Sequence, residues 1–241
     1  MNIAVIFAGG IGKRMKSKEK PKQFLVMYGK PIIVYTLEVF QYDSNIDAIV
    51  VACVEEWIPH LEKLVSHYNL SKVKKIVPGG ETGQMSIYNG LCAAEEIAKE
   101  ERNIVLIHDG VRPLISSDLL DKNIESVIQH GSAITCVDAK ETIILYDGKC
   151  KVDSIVNREK AKLARAPQSF WLEEILEAHR KALKECKKDF IDSCSLMKYY
   201  GKQLHIVEGS DENIKITTPE DFYIMRALLA AKEDSQIYDV E

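Results

Sequence analysis

Apolar residues along this chain gather in short unbroken runs, and amphipathic stretches separate those runs. The runs near residues 3–7, 47–53, 73–77, 103–107 and 132–137 suit strands buried on both faces. Between them, Pro31 to Phe40 opens with proline near a first helical turn. Residues 55–68 repeat apolar positions at Trp57, Ile58, Leu61, Leu64 and Val65, a helical period. Met85 to Lys99 and Leu119 to Gln129 read the same way. Strands alternating with helices imply right-handed βαβ units, hence an α/β fold with a doubly wound, mostly parallel, Rossmann-like sheet.

The period changes after residue 138. Thr142 to Tyr146 and Cys150 to Ile155 flank Asp147-Gly148-Lys149, a hairpin signal. The prediction is a protruding β-hairpin arm at about 139–157. Two strands alone are marginally stable, so the arm needs something to pack against. The chain then predicts a helix near 172–184, a strand around 203–207 and a final helix from about 219. At that last start, Thr218-Pro219-Glu220-Asp221 supplies a hydroxyl cap, proline at the first helical position and acids in the first turn. Residues 232–241 are polar and read as a tail beyond the helix. With no internal repeat or linker, residues 1–241 are expected to form one domain with an arm.

Composition narrows the function classes. At 241 residues and 46% hydrophobic content the chain can bury one sizeable core. Its 32 basic and 36 acidic residues give a formal net charge of −4, and no basic run suggests a nucleic-acid face. Any anion site must therefore be local. The six cysteines (53, 92, 136, 150, 186 and 194) form no Cys-x-x-Cys pair and are expected as reduced structural thiols rather than a catalytic nucleophile. Met1-Asn2 leads straight into a strand, and no stretch approaches the roughly 20 apolar residues that span a bilayer. The expectation is a soluble, cytoplasmic protein without a membrane partner.

The candidate chemistry begins right after the first strand. Ala8-Gly9-Gly10-Ile11-Gly12-Lys13-Arg14-Met15 is followed by Pro21-Lys22-Gln23-Phe24. Glycines let backbone N–H groups approach a phosphate chain, and a helix N-terminus adds a favourable dipole. Arg14 and Lys22 could neutralise what the backbone cradles. A P-loop is excluded, because Phe7 and Arg14 stand where it needs Gly and Ser or Thr. A dinucleotide fingerprint is excluded because Met15 replaces its third glycine. The motif reads as a nucleoside triphosphate site; the plainer alternative is a strand-to-helix turn with solvated cations.

Gly9-Gly10-x-Gly12-x-Arg14-Met15 with Pro21-Lys22-Gln23 resembles the opening motif of sugar-nucleotide-type nucleotidyltransferases. More narrowly, it resembles the cytidylyltransferases that act on methylerythritol phosphate and ribitol phosphate. Further similar segments follow in the same order: Gly79-Gly80-Glu81 through Ser86-Ile87-Tyr88-Asn89-Gly90, then Ile107-His108-Asp109-Gly110-Val111-Arg112-Pro113. After them come Ala139-Lys140-Glu141-Thr142-Ile143, Arg158 with Ala166-Pro167-Gln168-Ser169-Phe170, Asp192-Ser193-Cys194-Ser195-Leu196, and Asn213-Ile214-Lys215-Ile216-Thr217. Together they span residues 3 to about 221.

The resemblance implies transfer of CMP from CTP, as co-substrate, to a sugar-alcohol phosphate, with pyrophosphate leaving. Such a reaction brings two anions together, so it needs charge neutralisation, in-line positioning and a metal ion. The resemblance casts Arg14, Lys22, Arg158 and Lys215 as catalytic cations, with Lys22 also stabilising the transition state. It assigns Ala8, Gly9, Gly10 and Gly12 to the triphosphate, and Gly80, Glu81 and Ser86 to cytosine; Ser86 could instead be a plain helix N-cap. Asp109, at the carboxyl end of a buried strand, is a candidate Mg²⁺ ligand, or else an N-cap or salt-bridge acid near Arg112. Arg112, Thr142, Arg158 and Lys215 match contacts to the alcohol phosphate, Thr142 and Arg158 reaching in from a partner subunit of a homodimer. Taken singly, Lys215 reads as a solvated strand lysine, and His108 as an orienting or packing residue.

Departures from the family pattern bear on substrate. Gly83 stands where the family usually has arginine, and Arg165-Ala166-Pro167-Gln168 replaces Gln-Thr-Pro-Gln. Ile191 replaces a Thr or Ser whose hydroxyl touches the alcohol. Val111 and Trp57 lean towards D-ribitol 5-phosphate or a related polyol phosphate over methylerythritol phosphate. A nucleotidyltransferase using another base, and a non-catalytic nucleotide-binding protein, are the rival readings.

Overall fold

The computed structural model describes residues 1–10, 20–99 and 102–238. The first strand, β1 (Asn2–Ala8), is followed by a small ladder of β2 (Val26–Met27) and β3 (Lys30–Pro31) and by helix α1 (Ile32–Tyr42). Then come β4 (Ala48–Cys53), α2 (Ile58–His67), β5 (Val73–Pro78), α3 (Gly83–Ile97), β6 (Ile104–Asp109), α4 (Ser117–His130) and β7 (Ser132–Asp138). The arm is β8 (Ile144–Tyr146) paired antiparallel with β9 (Val152–Ile155). The chain closes with β10 (Lys162–Trp171), α5 (Leu172–Lys184), α6 (Ser193–Tyr199), β11 (Ile206–Glu208) and α7 (Pro219–Tyr238).

Among the described residues, the main sheet has seven strands in the order β11-β7-β10-β6-β1-β4-β5. β1 is flanked by β4 and β6, both parallel to it, so the strand order reverses beside β1. In open α/β sheets ligands bind at the carboxyl ends of the strands next to such a reversal.

Unbroken apolar strands feed two faces at once. Ala4, Ile6, Ile49, Val51, Ile104 and Leu106 pack with Leu37, Phe40, Leu61 and Leu120 on one side. Their neighbours Ile3, Val5, Val50, Val105 and Ile107 pack with Ile87, Leu91, Ile175 and Leu196 on the other. This period-2 split across helix-covered faces makes the runs unbroken. A third cluster (Met27, Ile32, Val111, Leu114, Ile216, Met225) joins α1 and α7 to the loops beyond the strands.

Two sequence expectations change. Residues 162–171, which carry no strand pattern, form β10, antiparallel to both β6 and β7. Its pairing with β7 breaks register between Ala164 and Gln168, which lets Pro167 sit inside a central strand without donating to a ladder. The stretch expected as a tail continues α7 as far as Tyr238, because polar residues such as Lys, Glu and Gln are good helix formers in solvent. No helix among the described residues is long and apolar enough to cross a membrane. All six cysteines are free, Cys53 and Cys136 buried and Cys150 and Cys186 exposed.

Candidate active site

The carboxyl ends of β1, β5 and β6 open on one crevice, and close backbone approach shapes it. A Cβ on Gly9 would come 2.6 Å from Ser86 Oγ, and one on Gly80 would overlap Met85. Only glycine fits at either position. Gln23 is buried, and its Nε2 donates to Ala8 O at 2.6 Å, tying the segment after the loop to the end of β1. Thr82 caps α3 by accepting from the Met85 N–H at 3.2 Å. Ser86, one turn inside the helix, accepts from the Gly80 N–H at 3.0 Å and donates to Thr82 O at 3.0 Å. Ser86 is therefore not the N-cap; its hydroxyl pins the Gly80 loop against the helix.

These elements surround a cavity of about 630 Å³. It gathers Ala8, Gly9, Gly10, Lys22, Gly80, Glu81, Ser86, Asp109 and Lys215 from the sequence-predicted set. Phe7, Gln23, Thr82, Gly83, Val111 and Thr217 also line it. Gly12 and Arg14 lie outside the described residues.

Asp109 divides this cavity from a second. Its Oδ2 lies 2.8 Å from Arg112 Nε and its Oδ1 2.5 Å from Lys215 Nζ. Burial alone would raise its carboxyl, but Lys215 and Arg112 outweigh burial and hold it at about 2. The salt-bridge reading of Asp109 thus describes the geometry, and Lys215 is a paired site cation rather than a solvated strand lysine. His108, fully buried, directs Nε2 at Arg112 O, 3.0 Å away, while Nδ1 has no partner. Burial pushes its ring down to about 4, so it stays neutral and orients the Arg112 backbone.

The second cavity, about 290 Å³, shares Phe7, Gly83, Asp109 and Lys215 with the first. Its own wall includes Arg112, Arg165, Gln168, Ile191, Asp192 and Ser193. Arg112 Nη1 donates to Asn213 O at 2.8 Å, and Lys22 Nζ to Ile216 O at 2.9 Å, so cations brace the Asn213–Thr217 segment from both sides. Thr142 and Arg158 line neither cavity. Both lie by the arm, where Arg158 Nη1 donates to Lys140 O at 3.2 Å.

Two adjoining cavities that share one carboxylate, Asp109, and one lysine, Lys215, suit the joining of two substrates. The family described as IspD, 2-C-methyl-D-erythritol 4-phosphate cytidylyltransferase, matches residues 2–231. The chain belongs to this family. A ribitol-5-phosphate cytidylyltransferase of Streptococcus agalactiae is 54% identical over 99% of both chains. A 2-C-methyl-D-erythritol 4-phosphate cytidylyltransferase of Clostridium botulinum is 40% identical over 95% of this chain and 97% of its own. Among solved structures, the 4-diphosphocytidyl-2C-methyl-D-erythritol synthase of Anaerococcus prevotii superimposes with a TM-score of 0.80 at 27% identity, covering 95% of this chain and 96% of that one. Membership makes the chain a nucleotidyltransferase, an enzyme of the cytidylyltransferase class.

Three wall residues of this cytidylyltransferase carry no role in the sequence analysis, although Gln168 and Asp192 lie in segments that resemble the family. Phe7 and Gln168 sit inside strands and look like core or ladder residues until the sheet is assembled. Asp192 had a usable signal. It caps α6 through Ser195 N–H at 2.8 Å while Ser195 Oγ lies 3.2 Å from the Asp192 N–H, a capping box written in the sequence as Asp-x-x-Ser.

Proposed function

We propose that this enzyme transfers CMP from CTP to D-ribitol 5-phosphate, giving CDP-ribitol and pyrophosphate. The observation that carries this reading is the pair of cavities sharing Asp109 and Lys215. The choice of alcohol follows the relative at 54% identity over the one at 40%. CTP occupies the larger cavity, its phosphates over the Ala8-Gly9-Gly10 backbone and Lys22, its base against Gly80, Glu81 and Ser86. The acceptor's phosphate lies in the smaller cavity by Arg112 and Lys215.

An oxygen of that phosphate attacks the α-phosphorus of CTP. A P–O bond forms there as the bond to the bridging oxygen of the β-phosphate breaks, and the electron pair leaves with pyrophosphate. Chemistry of this kind needs little beyond positioning and cancellation of charge. Lys22 and Lys215 approach from either side, and Arg14 is proposed to join them on the triphosphate. Asp109, the carboxylate that borders both cavities, is the residue that would hold a magnesium ion beside the substrate phosphates. When bound, Mg²⁺ would offset charge on the triphosphate and make pyrophosphate a better leaving group.

The arm suggests a homodimer in which Thr142 and Arg158 complete the partner's acceptor site, and the need for CTP suits the cytoplasm. One observation favours a second alcohol. Ile191 is 96% exposed at the acceptor wall, and an apolar side chain there would suit the methyl branch of 2-C-methyl-D-erythritol 4-phosphate.

Pyrophosphate release with CTP, Mg²⁺ and each of these alcohol phosphates is the test, with ATP, GTP and UTP as controls. Turnover of ribitol 5-phosphate with CTP alone is expected. A preference for methylerythritol phosphate would move the enzyme to the second reading, and turnover of neither would overturn both.

A further inference from the structure

Arg165 stands on β10 in the wall of the smaller cavity, its side chain 17% exposed. One of its nitrogens serves three main-chain carbonyls: Nη1 lies 3.2 Å from Ser210 O, 2.9 Å from Asp211 O and 3.0 Å from Asn213 O. Arg112 Nη1 donates to the same Asn213 carbonyl at 2.8 Å, so two guanidinium groups converge on one oxygen. Their charges are poorly matched by carboxylates. Asp109 is shared between Arg112 and Lys215. Asp211 Oδ1 is 3.7 Å from Arg165 Nη2, while its Oδ2 holds Lys140 at 2.7 Å. Asp192, the other acid of this wall, accepts from Gln168 Nε2 at 2.9 Å and from Ser195 N–H at 2.8 Å. Burial and the neighbouring Arg112 both work against the charge on Arg165. A largely buried guanidinium next to Arg112, on the wall that also carries Lys215, favours an anion with several acceptor oxygens.

We propose that Arg165 is a specificity-determining residue that binds the phosphate of the acceptor alcohol from within the same subunit, using the donors its carbonyl contacts leave over. The acceptor's class rests on the function proposed above. The arginine therefore gives this wall a second fixed guanidinium beside Arg112, independent of any contribution from the arm. A purely architectural Arg165 would behave differently. It would only staple the Ser210–Asn213 loop, and because Lys215 follows that loop and lines both cavities, losing the staple would damage CTP binding as well.

Steady-state kinetics on the full-length enzyme separate the two roles. Arg165→Ala and Arg165→Gln should each raise KM for ribitol 5-phosphate about 10- to 100-fold, the loss expected for one charge-assisted contact. KM for CTP should stay within about twofold, and Arg165→Lys, which keeps the charge but not the planar fork, should recover only part of the acceptor affinity. Glutamine can still donate to the loop carbonyls, so its failure to rescue would isolate the charge. An unchanged acceptor KM, or a parallel rise in both KM values, would overturn the proposal. If the wild-type enzyme turns over a different alcohol phosphate, the choice of ribitol fails, and the same variants are judged with that acceptor. If it turns over none, calorimetric binding of inorganic phosphate decides: about tenfold weaker binding by Arg165→Ala supports the role, and equal binding overturns it.

Discussion

Lys22 borders the larger cavity, proposed to hold the nucleotide, and its Nζ donates to Ile216 O at 2.9 Å, next to Lys215 in the chain. In the proposed site, a cation so held would meet the triphosphate already positioned, and a fixed charge is effective against charge that develops during reaction. Lys22→Ala should lower kcat by about 10²- to 10³-fold with the circular dichroism spectrum unchanged; turnover near wild type would remove Lys22 from the site. Two buried histidines predict the response to acid. Burial pushes both His108 and His179 down from 6.5 to about 4, and both ring nitrogens of His179 lack partners. The unfolded chain binds protons that the native state refuses, so stability is complete above pH 6.5 and falls as pH drops towards 4, by up to about 3 kcal/mol per histidine. Asp109, depressed from 3.8 to about 2, adds its loss only below pH 3.8. Urea midpoints at pH 7.5, 6 and 5 should decline in that order, and His179→Phe should flatten the decline. A level series would show that these rings are not held neutral by the fold.

At the scale of elements, α3 offers the clearest experiment. Gly83 is its first residue and borders both cavities, and a Cβ built there meets nothing within 4 Å. Gly83→Arg should therefore be tolerated, favour the helix by up to about 1 kcal/mol, and lower KM for CTP several-fold by placing a guanidinium beside the triphosphate. A raised KM would mean that the open space is itself needed. The same helix illustrates what the sequence made legible. Its period and the Gly79-Gly80-Glu81 signature were plain, yet its cap is Thr82, because a hydroxyl three residues earlier accepts from Met85 while Ser86 turns back to Gly80. β10 stayed hidden for a different reason. Arg165-Ala166-Pro167-Gln168 has neither alternation nor an apolar run, and only its neighbours β6 and β7, far away in sequence, make it a strand. Both cavities depend on such non-local placement. Their glycine loop and Asp109 are local signals, whereas Phe7, Gln168 and Arg165 become wall residues only when the sheet is assembled.

The whole molecule leaves its arm unsupported. Ile144, Leu145, Tyr146, Val152 and Ile155 are each more than half exposed, and none belongs to the three buried clusters. Exposed apolar residues on both strands of one short hairpin mark a contact surface, and the proposed second copy of the chain would cover it in a closed, two-fold arrangement. Complementation between two damaged subunits tests both the dimer and the sharing of sites. Lys22→Ala spoils the nucleotide cavity but keeps the arm, and Arg158→Ala spoils the arm but keeps both cavities. Each alone should be nearly inactive at low acceptor concentration. In a heterodimer, the intact cavities of the Arg158→Ala subunit face an intact Arg158 from its partner, so one site of two works. Random mixing makes about half the dimers heterodimeric and should return about a quarter of wild-type activity. Replacing Ile144 and Ile155 by Asp in both chains should abolish the recovery by preventing association, seen as later elution on gel filtration. If mixing restores nothing while the chains still elute as a dimer, Arg158 serves its own subunit and the arm is a contact surface only.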